Sequence, residues 1–256
     1  MIKMIFFDID GTLIKMGEKQ MTARMEETLI RLKENGILLC IATGRPIREV
    51  PRFERVPFDV YLTFNGSYCC NQKEVIYANP ILPEDVEQVL KNAERHRRCV
   101  ALATLDDMGA NGKDPDLEEY FAHADQTIEV AEDFDSLRKQ PVYQMMIACS
   151  PNEYASFTAH TKNAIMTSWS TKAADVIPAN GGKGAAVEKI MAYYGVSPEE
   201  TMAFGDGKND LEMLQTVGMG IAMGNATDEV KRHAKAVCPA VDEDGIYQYC
   251  KQQKLI

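Results

Sequence analysis

The stretch FFDIDGTL, Phe6 to Leu13, closes an apolar run with two aspartates separated by a single isoleucine. The run from Lys3 to Phe7 has the continuity of a buried strand. Two-residue spacing at its end sends Asp8 and Asp10 to one side and turns Ile9 toward the core. Gly11 supports a sharp exit, and the Thr12 hydroxyl can hold a carboxylate. Carboxylates this close repel unless a cation or a shared proton relieves them.

Outward from this point the pattern alternates. Residues 21–35 carry Met25, Leu29 and Leu32 at helical spacing, with Gly36 as a stop. Residues 37–42 form a second apolar strand that runs into Thr43-Gly44-Arg45-Pro46. A short helix leads to a strand at 60–64 and Asn65-Gly66, and 68–70 with 74–77 read as a hairpin. The character changes at 79–83. A helix over 84–97, strands at 99–105 and 142–149, a helix over 152–161 and strands at 164–168 and 174–177 follow, with 106–118 read as an exposed loop. Beyond residues 178–182 the α/β rhythm returns: helix 183–194, strand 201–204, GDGKND at 205–210, helix 211–216, and strand 219–223 before Gly224-Asn225-Ala226 and a further helix. The expected architecture is α/β. A Rossmann-like, doubly wound parallel sheet (1–80 plus 180–256) is interrupted by an inserted α+β cap domain (81–179).

The chain has 256 residues, 45% hydrophobic and 26% charged, with a formal net charge of -10. That balance argues against nucleic acid or an anionic membrane as the main partner, although a local positive site or a metal still allows a small anion to bind. Seven cysteines without a CxxC pair read as reduced thiols of a cytoplasmic protein. The adjacent Cys69 and Cys70 are a weak soft-metal signal. The opening apolar run is too short and too soon acidic for a signal peptide, and no segment reaches the ~20 apolar residues of a membrane span. His96, His123, His160 and His233 are scattered without metal spacing, and Met213, Met219 and Met223 read as core filler. His96-Arg97-Arg98 complements a helix C-terminus.

Three further segments carry chemistry. In GDGKND, Asp206 and Asp210 stand at a second strand end. If the two strands are parallel neighbours, Asp8, Asp10, Asp206 and Asp210 share one crevice beyond the sheet. Hard oxygen ligands in such a place suit Mg2+, whereas the EF-hand spacing is missing. Lys183, after Gly181-Gly182, begins a helix whose dipole already presents positive charge, so it calls for an anion. Thr43-Gly44-Arg45 offers a hydroxyl and backbone N–H groups to a phosphate, with Arg45 serving either the substrate or the sheet edge.

These four segments, in this order, resemble those of the haloacid-dehalogenase-like (HAD) phosphohydrolases, most closely the Cof-type branch with its larger cap. DIDGT resembles the nucleophile motif, ATGR the threonine motif, GGKG the lysine motif and GDGKND the distal acidic motif. Asn65-Gly66 and Gly224-Asn225-Ala226 resemble recurrent turns of the branch. The resemblance implies a nucleophilic Asp8 that forms an aspartyl-phosphate, and Asp10 as general acid and base. It implies Mg2+ held by the Asp8 carboxylate, the Asp10 backbone carbonyl and Asp206, with Asp210 as a further or outer ligand. Thr43, Gly44, Arg45, Lys183 and Asn209 would serve the phosphate. The implied substrate is a small phosphorylated metabolite (a sugar phosphate, nucleotide or phosphorylated cofactor), the implied assembly a monomer or homodimer. A phosphomutase of the same superfamily and a non-catalytic phosphometabolite sensor are the alternatives. The acidic turn Val241 to Gly245 departs from the asparagine-rich turn common among relatives, outside the chemistry.

Overall fold

Successive residues of Met4–Phe7 (β1) point to opposite faces of a sheet, and both faces are buried. Ile5 and Phe7 join one core with Met25, Leu29, Ile246 and Tyr249, whereas Met4 and Phe6 join another with Val187, Ile190, Met213 and Leu214. A strand apolar on both faces needs helices on both sides, which is the doubly wound arrangement. The computed structural model describes residues 1–122, 126–168 and 172–256; the expectation for His123 lies outside them.

The remaining strands in chain order are β2 (Leu38–Ala42), β3 (Val60–Thr63), β4 (Tyr68–Asn71), β5 (Val75–Ala78), β6 (Ala101–Ala103), β7 (Met108–Ala110), β8 (Gln144–Ala148), β9 (Ala164–Ser168), β10 (Ala173–Pro178), β11 (Thr201–Gly205), β12 (Met219–Ala222) and β13 (Ala236–Val237). Seven of them join β1 in the eight-stranded sheet β13-β12-β11-β1-β2-β3-β4-β5, parallel from β13 to β3 and antiparallel across the β3-β4-β5 meander. The chain winds outward from β1 through β2 and β3, then returns on the other side of β1 as β11. That reversal opens a crevice beyond the carboxyl ends of β1 and β11. Phe7 stands beside Phe204 in the register, and their rings stack 5.6 Å apart beneath the strand ends.

On one face lie α1 (Ala23–Glu34), whose N-cap Thr22 accepts from Met25 N at 3.1 Å, and the C-terminal helix Gly245–Gln252. The other face is covered by Lys183–Tyr194, Leu211–Thr216 and Asp228–His233. The helix Gly245–Gln252 has no counterpart in the sequence reading; it starts on the acidic turn, where Asp244 is left-handed at φ 55°.

The chain divides into two compact units, one of Met1–Arg45, Glu49–Ala78 and Lys183–Ile256, the other of Pro46–Arg48 and Asn79–Gly182. The second unit holds an antiparallel sheet, β7-β6-β8-β10-β9, with its own core of Val86, Val89, Leu102, Met145, Ile147, Phe157 and Val176. Two local expectations need correction here. Residues 106–118 are not a loop throughout: β7 pairs with β6, and a helix begins at Pro115, where Asp114 accepts from Leu117 N at 2.8 Å. A three-residue edge strand centred on Gly109 has no hydrophobic alternation to betray it. The helix expected over 152–161 shrinks to a 3-10 turn and Tyr154–Phe157. Among the described residues no helix is long and apolar enough to cross a membrane.

Candidate active site

Asp8 leaves β1 with its backbone N–H donated to Phe204 O at 3.1 Å, so the strand pairing itself fixes where its carboxylate begins. Asp206 leaves the neighbouring β11, and Asp210 follows in a 3-10 turn (Lys208–Asp210). Carboxylate oxygens of Asp8, Asp206 and Asp210 lie within 4.8 Å of one another, with Asp8 and Asp210 buried and Asp206 partly so. The fully buried Lys183 ammonium donates to Asp8 Oδ1 at 2.7 Å and to Asp210 Oδ1 at 2.6 Å. The anion that a helix-start lysine calls for is therefore supplied by the protein itself.

The other carboxylate oxygens are fixed as well. Asp210 Oδ2 accepts from the backbone N–H groups of Asp206 (3.0 Å) and Gly207 (2.9 Å). Asp206 Oδ1 accepts from Thr12 Oγ1 at 2.9 Å, and its Oδ2 from Asn225 Nδ2 at 3.3 Å. Gly11, at φ 81°, passes so near that a Cβ would sit 2.3 Å from Asp206 Oδ2. No side chain is tolerated there, in space or in backbone angle.

Burial pushes the Asp8 carboxyl well above the usual carboxylate range; Lys183 opposes this, while Asp210, Asp206 and Asp10 reinforce it. Asp206 is pushed up to about 7, first by burial and then by Asp210, against the hydrogen bond from Thr12. Lys183 moves above the lysine range because Asp210 and Asp8 outweigh the burial that would lower it. Lys183 pairs with two of the three carboxylates, so full ionisation of the cluster would leave two negative charges in excess in a buried place. This oxygen-only donor set and its charge deficit fit a small divalent cation.

Asp10 departs from its expected company. Its carboxylate belongs to Arg45, which donates Nε to Oδ2 and Nη2 to Oδ1, both at 2.7 Å, and Nη1 to Glu49 O at 3.1 Å. Of the two alternatives for Arg45, neither includes this bidentate grip on Asp10. Thr43 is buried and accepts from Arg45 N at 3.1 Å through Oγ1. Asn209 donates Nδ2 to Asn65 Oδ1 at 3.0 Å, and Gly44 lies against that same Asn65 amide. Asn65 and Asn225 were legible only as turn formers; their side-chain partners lie 144 and 19 residues away along the chain.

The other singled-out residues stay with ordinary packing. Burial raises the Cys69 thiol, as it does that of Cys70, and all seven cysteines are free. Met213 and Met223 are fully buried. His96 packs on Phe157 with ring centroids 5.0 Å apart, and Arg98 pairs with Asp116.

Residues 5–250 match the family model of haloacid dehalogenase-like hydrolases, and the chain belongs to that family. YkrA of Bacillus subtilis is 31% identical over 256 residues, covering 99% of this chain and 98% of its own. The 5-amino-6-(5-phospho-D-ribitylamino)uracil phosphatase YitU of Bacillus subtilis is 29% identical over 262 residues (97% and 96%). Among solved structures, the HAD subclass IIB sugar phosphatase BT4131 superposes with a TM-score of 0.88 at 28% identity, over 99% of this chain and 100% of that one. The chain is a HAD-type phosphatase of the Cof-type, subclass IIB branch.

Proposed function

We propose that the protein is a Mg2+-dependent phosphatase that hydrolyses small phosphomonoesters through an aspartyl-phosphate on Asp8. The observation that carries this reading is the buried cluster of Asp8, Asp206 and Asp210 around the Lys183 ammonium. The carboxylates of Asp8 and Asp206 and the Asp10 backbone carbonyl would hold Mg2+, with Asp210 as a further or outer ligand. The ion, when bound, neutralises the crowded carboxylates and draws charge from the phosphoryl oxygens.

Asp8 attacks phosphorus as the ester oxygen departs, and the acid form of Asp10 protonates that alkoxide. Asp10, now a carboxylate, takes a proton from the water that attacks the aspartyl-phosphate, releasing inorganic phosphate and regenerating Asp8. The Arg45 fork, engaging both Asp10 oxygens, fixes the orientation of that side chain. Lys183, Thr43 and the Gly44 backbone stabilise the phosphoryl oxygens, Lys183 remaining charged because of its two aspartate partners. A second acid two residues past the nucleophile favours transfer to water. The substrate is a small phosphorylated metabolite such as a sugar phosphate, nucleotide or phosphorylated cofactor.

The test is turnover of a chromogenic aryl phosphate and of a metabolite panel with Mg2+, with and without EDTA. Mg2+-dependent release of inorganic phosphate is expected. Its absence across the panel refutes the reading, and isomerised substrate without phosphate release replaces it with a mutase.

A further inference from the structure

The turn that follows β3 is the least comfortable stretch of backbone near the site. Phe64 and Asn65 are consecutive non-glycine residues with positive φ, both at 52°, and both are buried. Asparagine tolerates this region, but a phenylalanine there is an outlier. Two residues on, Ser67 is fully buried, and its Oγ has no hydrogen-bond partner among the described residues. A short turn that keeps two left-handed residues and an orphaned hydroxyl holds something in place against its own preference.

What it holds is the Asn65 side chain. The backbone of Asn65 donates its N–H to Thr43 O at 3.1 Å, and Phe64 donates to Arg45 O at 3.0 Å, so the turn is laced along the Thr43-Gly44-Arg45 segment. The Asn65 amide rests on Gly44, where a Cβ would lie 3.0 Å from Oδ1 and 3.2 Å from Nδ2. Asn65 Oδ1 accepts one hydrogen of the Asn209 amide at 3.0 Å. An amide nitrogen carries two hydrogens, so this bond orients Asn209 while leaving the second for another acceptor. One buried side chain thus spans the threonine turn and the acidic loop, two segments that leave different strands.

We infer that Asn65 is a positioning residue: it sets the Asn209 amide and the Gly44 backbone in register for the oxygens of the transferring phosphoryl group. The inference builds on the proposed role of Asn209 at the phosphate. Its effect falls on anion binding and on kcat/KM more than on the stability of the fold. Glycine at this position keeps the left-handed backbone without strain but removes the amide.

The experiment measures the Ki of inorganic phosphate, kcat/KM for an aryl phosphate and Tm in N65G, N209A and the double variant. N65G should melt close to the wild-type temperature, relief of the left-handed position offsetting much of the lost hydrogen bond, yet bind phosphate about tenfold more weakly, a loss out of proportion to any fall in Tm. N209A should lose a similar factor, and the double variant little more than either alone, as expected for groups acting through one contact. G44A, whose methyl group meets the Asn65 amide, should weaken phosphate binding in the wild-type background and do little in N65G; it also serves if N65G does not fold. A wild-type Ki in N65G or G44A, or losses that add independently, overturns the inference while N209A still reports a phosphate contact. An unchanged Ki in N209A removes the phosphate role of Asn209, and the inference with it.

Discussion

Two aspartates two residues apart have opposite electrostatic situations. Asp8 sits in a buried cluster of three carboxylates that one ammonium cannot neutralise. Asp10 sits at the rim in a matched pair, both oxygens taken by the Arg45 fork, with side chains 29% and 20% exposed. The first arrangement is costly without a cation and sensitive to any change in charge. The second is self-sufficient and screened by solvent. On the proposed mechanism, the difference separates a metal-dependent nucleophile from an acid–base group that has to exchange protons.

The largest effect should come from Asp8→Asn, which keeps shape and removes the proposed nucleophile. kcat is expected to fall by several orders of magnitude while phosphate esters still bind; near-normal turnover would take Asp8 out of that role. Lys183→Ala comes next, since it leaves Asp8 and Asp210 buried without their shared cation. Weaker phosphate binding and slower turnover are expected together with a loss of about 3–5 kcal/mol in metal-free stability, read from denaturant melts.

The pH dependence sharpens the same contrast. Folding raises the carboxyl groups of Asp8 and Asp206, the latter to about 7. A raised group contributes stability that is complete below its unfolded value of about 4 and is lost as the pH rises through its folded value. The metal-free protein should therefore lose the Asp206 part of this contribution as the pH rises from about 4 through about 7, and Mg2+ should restore it. The gap in Tm between Mg2+- and EDTA-treated protein is expected to widen with pH and to close in Asp206→Asn. A gap that narrows with rising pH would contradict the assigned cluster.

Smaller effects belong to the rim. Arg45→Ala should lower kcat by roughly 10- to 100-fold, with Arg45→Lys recovering only part, because an ammonium cannot reproduce the two-point fork. Equal activity in all three proteins would make the pair incidental. Lys208, inside the acidic motif but paired with Glu229 at the surface, should be nearly silent as Lys208→Ala in both kcat and Tm.

Much of this was legible in the sequence. The DIDGT strand end, the helix starting at Lys183 and the strand before GDGKND sit where period and turn chemistry put them, because long apolar runs and glycine stops are local signals. β7 was missed since a three-residue edge strand draws its stability from pairing with β6. The C-terminal helix was missed since its buried face, Ile246, Tyr249 and Cys250, is defined by a core built from distant strands.

The residue types and their spacing were enough to indicate two acidic strand ends, a lysine in need of an anion and a doubly wound sheet, since each follows from short-range backbone preference. Which carboxylate meets which cation was not contained in them. Lys183 joins Asp8 to Asp210, Arg45 takes Asp10, and Asn65 joins Gly44 to Asn209, because β1 packs between β2 and β11 in one register. Those pairings depend on distances across the sheet, and only the assembled strands fix them.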